Sequence, residues 1–139
     1  MINTKRWGIM IYLQINFINY LNVTIENITM RHIEKGYCTG SVIRITDCNA
    51  ININQCDLIG CGAYGLIANN TNIFLNKTII RDCSYGIMKI RGGMNIRFKN
   101  CEFFVMNKIT MVYINETSEN ILFNNCRFAQ NKGLLFDFR

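Results

Sequence analysis

The phrase NIRFKNCEF, residues 95–103, returns 25 residues later as NILFNNCRF, residues 120–128. Neither copy carries an evident catalytic set. Such a repeat points to architecture: a unit too small to bury its own apolar face, repeated so that neighbours cover one another. Weaker copies precede it, NVTIENITM from Asn22, AININQCDL from Ala50 and NIFLNKTII from Asn72. Their first apolar residues are Val23, Ile51, Ile73, Ile96 and Ile121, spaced by 28, 22, 23 and 25 residues. A second apolar residue follows two positions later in each copy (Ile25, Ile53, Leu75, Phe98, Phe123), the period of a strand with one buried face. A polar residue comes next: Asn27, Gln55, Lys77, Asn100 or Asn125. Further inward pairs follow it, from Ile28 and Met30 to Cys126 and Phe128. Each unit therefore reads as two short strands meeting at a corner. Asn suits the corner because it tolerates the left-handed backbone, and stacked amides can bond along the axis.

A third strand completes each unit. The segments are SVIRI (41–45), YGLIA (64–68), YGIMKI (85–90), ITMVYI (109–114) and GLLFDF (133–138). Three strands per turn and a period of 22 to 28 residues describe a parallel β-helix whose coils stack at about 4.8 Å. The expectation is an all-β, single-stranded parallel β-helix of about five coils with three short strands per coil. One domain spans 1–139, with 1–20 a lead-in strand or partial coil and 21–138 the repeats. The opening MINTKRWGIMIYLQINF alternates at Ile9, Ile11, Leu13, Ile15 and Phe17 and reads as one strand. Gln14 and Asn16 interrupt the apolar stretch and no small-residue cleavage site follows, against a signal peptide. No run of ~20 apolar residues is present, so no membrane span is expected. GLLFDFR closes on an apparent strand without a capping element. The chain is therefore expected to be a fragment of a longer solenoid, stacking on further coils or self-associating.

The seven cysteines fit the same scheme. Cys56, Cys101 and Cys126 share one inward row with Ile28 and Thr78, and Cys61 and Cys83 share another. Free cysteine behaves as a small buried apolar residue. Side chains stacked in a ladder point the wrong way for a Cys101–Cys126 disulfide, so buried thiols are expected. With one histidine in the chain, zinc is not indicated, and no other metal or cofactor is called for.

Net charge is +6. That favours anionic partners, but the basic residues are scattered and no nucleic-acid patch is indicated. Counting back from each anchor, Ile43, Ile45, Ile67, Met88, Ile90, Val112, Ile114, Phe136 and Phe138 point inward on the third strands. Arg44, Ala68, Lys89, Tyr113 and Asp137 point outward. Arg44, Lys89, Tyr113 and Asp137 form the candidate ligand-binding row: cations suit a uronate carboxylate, and an aromatic ring suits a sugar face. The nine acids are dispersed. Asp57 and Glu102 hold equivalent positions with Ile79 between them, and Glu102 faces Arg127 one turn on, a cross-strand ion pair. His32, near Glu34, has no identifiable catalytic partner. Cys38 and Cys48 flank the 41–45 strand without a predicted electropositive helix end to activate a thiol. The Asn-x-Thr triplets, such as Asn115-Glu-Thr, follow from composition and repeat.

NVTIENITM and the N-I-x-F-x-N-C-x-F turns resemble the right-handed parallel β-helix proteins of the pectate-lyase-like superfamily. CDLIGCGAYGLI and IIRDCSYGIMKI resemble uncharacterised bacterial proteins named only for such repeats. The resemblance covers residues 17–138 and implies the right-handed fold. The superfamily includes pectate lyases, polygalacturonases, tailspikes and non-catalytic adhesins, so fold alone does not choose an activity. The polygalacturonase motifs Asn-Thr-Asp, Asp-Asp, Gly-His-Gly and Arg-Ile-Lys are absent, and no catalytic residue carries over. The expected function is a non-catalytic scaffold or recognition segment with a polysaccharide ligand, in an extracellular or cell-surface setting. The alternatives are part of a polysaccharide lyase or glycoside hydrolase, and a phage tailspike or fibre segment.

Overall fold

A computed structural model describes residues 9–11, 15–31, 41–60, 64–104 and 110–139. A lead-in pair, β1 (Ile9–Ile11) and β2 (Ile15–Ile18), precedes five three-stranded coils. The first coil is β3 (Thr24–Glu26), β4 (Ile28–Arg31) and β5 (Ser41–Thr46). The second is β6 (Ile51–Asn54), β7 (Asp57–Ile59) and β8 (Tyr64–Asn69). The third is β9 (Ile73–Asn76), β10 (Ile79–Arg81) and β11 (Gly86–Arg91). The fourth is β12 (Ile96–Lys99), β13 (Glu102–Phe104) and β14 (Val112–Ile114), and the fifth is β15 (Ile121–Asn124), β16 (Arg127–Ala129) and β17 (Phe136–Phe138). Every third strand pairs in parallel, giving three sheets: β3-β6-β9-β12-β15, β1-β4-β7-β10-β13-β16 and β2-β5-β8-β11-β14-β17.

The repeat is the register. Ile51, Ile73, Ile96 and Ile121 stack in the first sheet, as do Ile53, Leu75, Phe98 and Phe123. Met30, Leu58, Ile80, Phe103 and Phe128 stack in the second. The middle members of these rows are fully buried and form one continuous core. Phe98 and Phe123 lie face to face, ring centres 4.6 Å apart, and Phe103 meets Phe98 edge-on at 5.9 Å.

All five predicted corners have positive φ: Asn27 55°, Gln55 52°, Lys77 49°, Asn100 53° and Asn125 50°. Corner backbone N–H groups continue the ladder, Lys77 donating to the Lys99 carbonyl at 3.0 Å and Asn100 to that of Asn124 at 3.0 Å. The amide ladder forms where two Asn are adjacent, Asn125 Nδ2 donating to Asn100 Oδ1 at 2.7 Å. Further amide rungs join Asn76 to Asn54, Asn72 to Asn49 and Asn120 to Asn95.

The cysteine row follows the corner. The Cys56 thiol donates to the Asn54 and Ile25 carbonyls, and Cys101 to those of Lys99 and Leu75. Thr78 takes the same two partners, Asn76 and Ile53, through its hydroxyl. In the second to fifth coils the position thus holds a small side chain with a hydrogen to donate, which explains a threonine among the cysteines, while the first coil has Ile28 there. All five described cysteines are free thiols. Cys61 and Cys38 lie outside the described residues.

Two expectations are corrected. The opening segment is not one strand: Ile9–Ile11 pairs with β4 in the second sheet, while Ile15–Ile18 pairs with β5 in the third. In β8 the faces are the reverse of those expected. Leu66 and Ala68 are level with Ile43 and Ile45 and point in, whereas Ile67 is level with Arg44 and Lys89 on the outer row. Five positions separate Ala68 from its anchor Ile73, against six between Ile90 and Ile96. A one-residue difference in the connection exchanges the faces of a strand. Inward alternation also fails at the start of the third strands, where Val42 and Ile43, Ile87 and Met88, and Met111 and Val112 are consecutively buried. In β8 the equivalent position is Gly65, where a Cβ would fall 2.1 Å from Ile80 Cγ2. Phe138 is level with the inward Ile114 but is exposed, since no described strand lies over it.

Candidate ligand-binding groove

The outer face of the third sheet carries two rows of side chains. One row is Arg44, Ile67, Lys89, Tyr113 and Asp137, each level with the next. The second lies two residues further along each strand, with Thr46, Asn69 and Arg91 in register. Asn115 and Arg139 continue it, their N–H groups donating at 2.9 Å to the carbonyls of Ile90 and Ile114. Three successive coils thus present Lys89 with Arg91, Tyr113 with Asn115, and Asp137 with Arg139, on rungs about 4.8 Å apart. Tyr64 and Tyr85, each next to the glycine at the start of its strand, close one side. Together these residues line a hollow of about 340 Å³.

The aromatic part is a connected set. Tyr64 meets Tyr113 edge-on at 6.0 Å and Tyr85 at 6.5 Å. Lys89 Nζ lies 5.9 Å from the Tyr64 ring centre, and the Arg139 guanidinium 5.7 Å from that of Tyr113. Both are within range of a cation–π attraction. Arg139 Nε donates to Asp137 Oδ2 at 2.7 Å. Three cationic side chains against one carboxylate side chain leave the lining side chains with a charge of 3 − 1 = +2. Partial burial, then the charges of Arg91 and Arg139, lower the Lys89 ammonium pKa. Burial, then Tyr113, raises the Tyr64 phenol. The chemistry on offer is a cationic, tyrosine-walled hollow with hydrogen-bond donors on its floor and rim.

Of the four residues expected in the row, Lys89, Tyr113 and Asp137 come together in the hollow. Arg44 does not. It stands two rungs from Lys89, about 10 Å along the axis, with Ile67 between them. The residues that sequence reasoning missed are Tyr64, Tyr85, Arg91, Asn115 and Arg139. The alternation that identified the first outward row also implied the second, in the triplets KIR, YIN and DFR. The Tyr-Gly pairs at 64–65 and 85–86 are visible in the sequence too, at the start of two of the third strands.

Elsewhere Asp57, Asp82 and Glu102 pair with arginines. Asp57 takes a two-pronged bond from Arg81, at 3.1 Å from Nε and 2.9 Å from a terminal nitrogen, and Asp82 meets the same guanidinium at 3.3 Å. Asp57 raises the Arg81 pKa, chiefly through those bonds. The Glu102–Arg127 pair expected across adjacent strands stands at 3.8 Å. Among the described residues no three His, Cys, Asp or Glu side chains gather as metal ligands. His32 and Glu34 lie outside the described residues. Burial raises the Cys56 thiol pKa and pushes that of Cys101 up to about 11, the ordinary state of an inert core thiol.

Fold and groove define a parallel β-helix with a polar, aromatic depression on a sheet face. A family model described as a right handed beta helix region matches residues 8–138, and the chain belongs to that family. No curated protein and no solved structure matches it.

Proposed function

We propose that the coil stack is a scaffold for recognition and that its hollow binds an acidic polysaccharide without cleaving it. The observation that carries this reading is the convergence of Lys89, Arg91 and Arg139 with Tyr64, Tyr85 and Tyr113 around one 340 Å³ depression. Cations serve uronate carboxylates and tyrosine faces serve the apolar faces of sugar rings. Hydrolysis ordinarily needs two carboxyl groups flanking the scissile bond, and Asp137 is the one acid among the described lining residues. Calorimetric titration with polygalacturonate oligomers tests the reading. Binding should weaken with salt and fall about tenfold or more in Lys89→Ala and Arg91→Ala. Equal affinity for a neutral glucan of the same length would refute it.

One observation favours a second reading, cleavage by β-elimination. A lysine with a lowered pKa beside two guanidinium groups suits removal of a proton next to a neutralised carboxylate. Ultraviolet absorbance from an unsaturated uronate product, lost in Lys89→Ala, would establish it.

A further inference from the structure

We infer that Asp137 sets the selectivity of the groove, committing it to carboxylated sugars over sulfated ones by holding Arg139 as a forked donor. The inference rests on the acidic-polysaccharide reading and says which acidic class fits. Asp137 is the only negatively charged side chain on the described lining of a hollow that otherwise attracts anions. Through charge alone it would weaken every anionic ligand. Its geometry gives it another task. Arg139 Nε donates to Asp137 Oδ2 at 2.7 Å, and the guanidinium lies over the Tyr113 ring at 5.7 Å. A side chain that is 77% exposed would otherwise wander. Held by a carboxylate at one edge and a ring at its face, it keeps its two terminal nitrogens side by side and open to a ligand.

Two parallel N–H donors match the two oxygens of a planar carboxylate. A sulfate ester can also accept two N–H bonds, but its less basic oxygens gain less from the fork, and its polymers carry more charge per sugar, so they meet stronger repulsion from Asp137. One residue thereby favours one ligand class and penalises the other, the two halves of a specificity device. Asp137 acts through Arg139 and is a positioning residue.

The test is titration of the full chain with polygalacturonate oligomers and, separately, dextran sulfate oligosaccharides, which carry sulfate esters and no carboxylate. Asp137→Asn makes the lining one unit more positive, so attraction alone demands tighter binding of both. The inference instead expects polygalacturonate to bind about tenfold more weakly, one charge-assisted hydrogen bond's worth of orientation, while dextran sulfate binds more tightly. Asp137→Glu should restore much of the polygalacturonate affinity. Arg139→Lys, which keeps the charge and removes the fork, should lose nearly as much as Arg139→Ala. Tighter polygalacturonate binding by Asp137→Asn, or full affinity in Arg139→Lys, would overturn the inference and leave the binding reading intact. Failure of the unmodified chain to bind polygalacturonate would overturn both.

Discussion

Lys77 is, with Gln55, one of the two corner residues that are not asparagine, and replacing it gives a graded test of how the coils turn. Its φ of 49° lies in the left-handed region, as do those of Asn27, Asn100 and Asn125. An ordinary L-residue there costs about 1–2 kcal/mol, of which Asn escapes a part, about 0.5–1 kcal/mol. An asparagine at this corner would also stand directly below Asn100, where an amide rung like the 2.7 Å bond between Asn125 and Asn100 could form. On a partly exposed corner that bond adds about 0.5–1 kcal/mol. Lys77→Asn should therefore stabilise the fold by about 1–2 kcal/mol, raising Tm by about 3–7 °C for a domain of this size. Thermal unfolding followed by circular dichroism measures it. Lys77→Gln controls for charge and should change little. Lys77→Val forces a β-branched residue into positive φ and should lower Tm. If Lys77→Asn melts no higher than Lys77→Gln, the corner row is not governed by backbone handedness and amide pairing.

Three further outcomes follow from packing and burial. Phe98 is 1% exposed and packed between Phe103 and Phe123, so Phe98→Ala should cost about 3–5 kcal/mol in denaturant unfolding, and Phe123→Ala, on the half-buried last coil, clearly less. The Cys101 thiol titrates near 11 rather than its ordinary 9.0. Its contribution is therefore complete below pH 9 and lost as pH rises toward 11. The alkaline loss should shrink by up to about 2–3 kcal/mol in Cys101→Ala, as seen in urea melts at about pH 8 and about pH 11. We also propose that the 139-residue polypeptide self-associates, because Phe123, Phe128 and Phe136 are only partly covered while their neighbours one coil earlier are buried. Sedimentation at micromolar concentration should show species above monomer, and a clean monomer would count against it.

The fold was readable because a parallel coil records its register in the sequence. Each coil must set an apolar residue under an apolar residue, so Ile73, Ile96 and Ile121 recur at nearly the coil length. The corners were readable because positive φ selects for Asn. What escaped detection depended on connection length. Ala68 and Ile67 exchanged faces because one connection is a residue shorter than its neighbour, and the opening segment divided between two sheets that share the same two-residue period. The groove was half readable for a related reason. Lys89, Tyr113 and Asp137 stood out on one outward row, yet a site on a sheet face draws on adjacent rows, and Arg91, Asn115 and Arg139 sit on the next. Tyr64 and Tyr85 come from the strand starts, where simple alternation breaks down.

Amide chemical-shift mapping of the labelled chain, titrated with polygalacturonate oligomers, would locate the ligand on the coil stack. Groove binding requires saturable shifts concentrated at Lys89, Arg91, Tyr113, Asn115 and Arg139. Shifts centred instead on the first sheet, around Asn52, Phe74 and Arg97, or no saturable shifts at all, would contradict it.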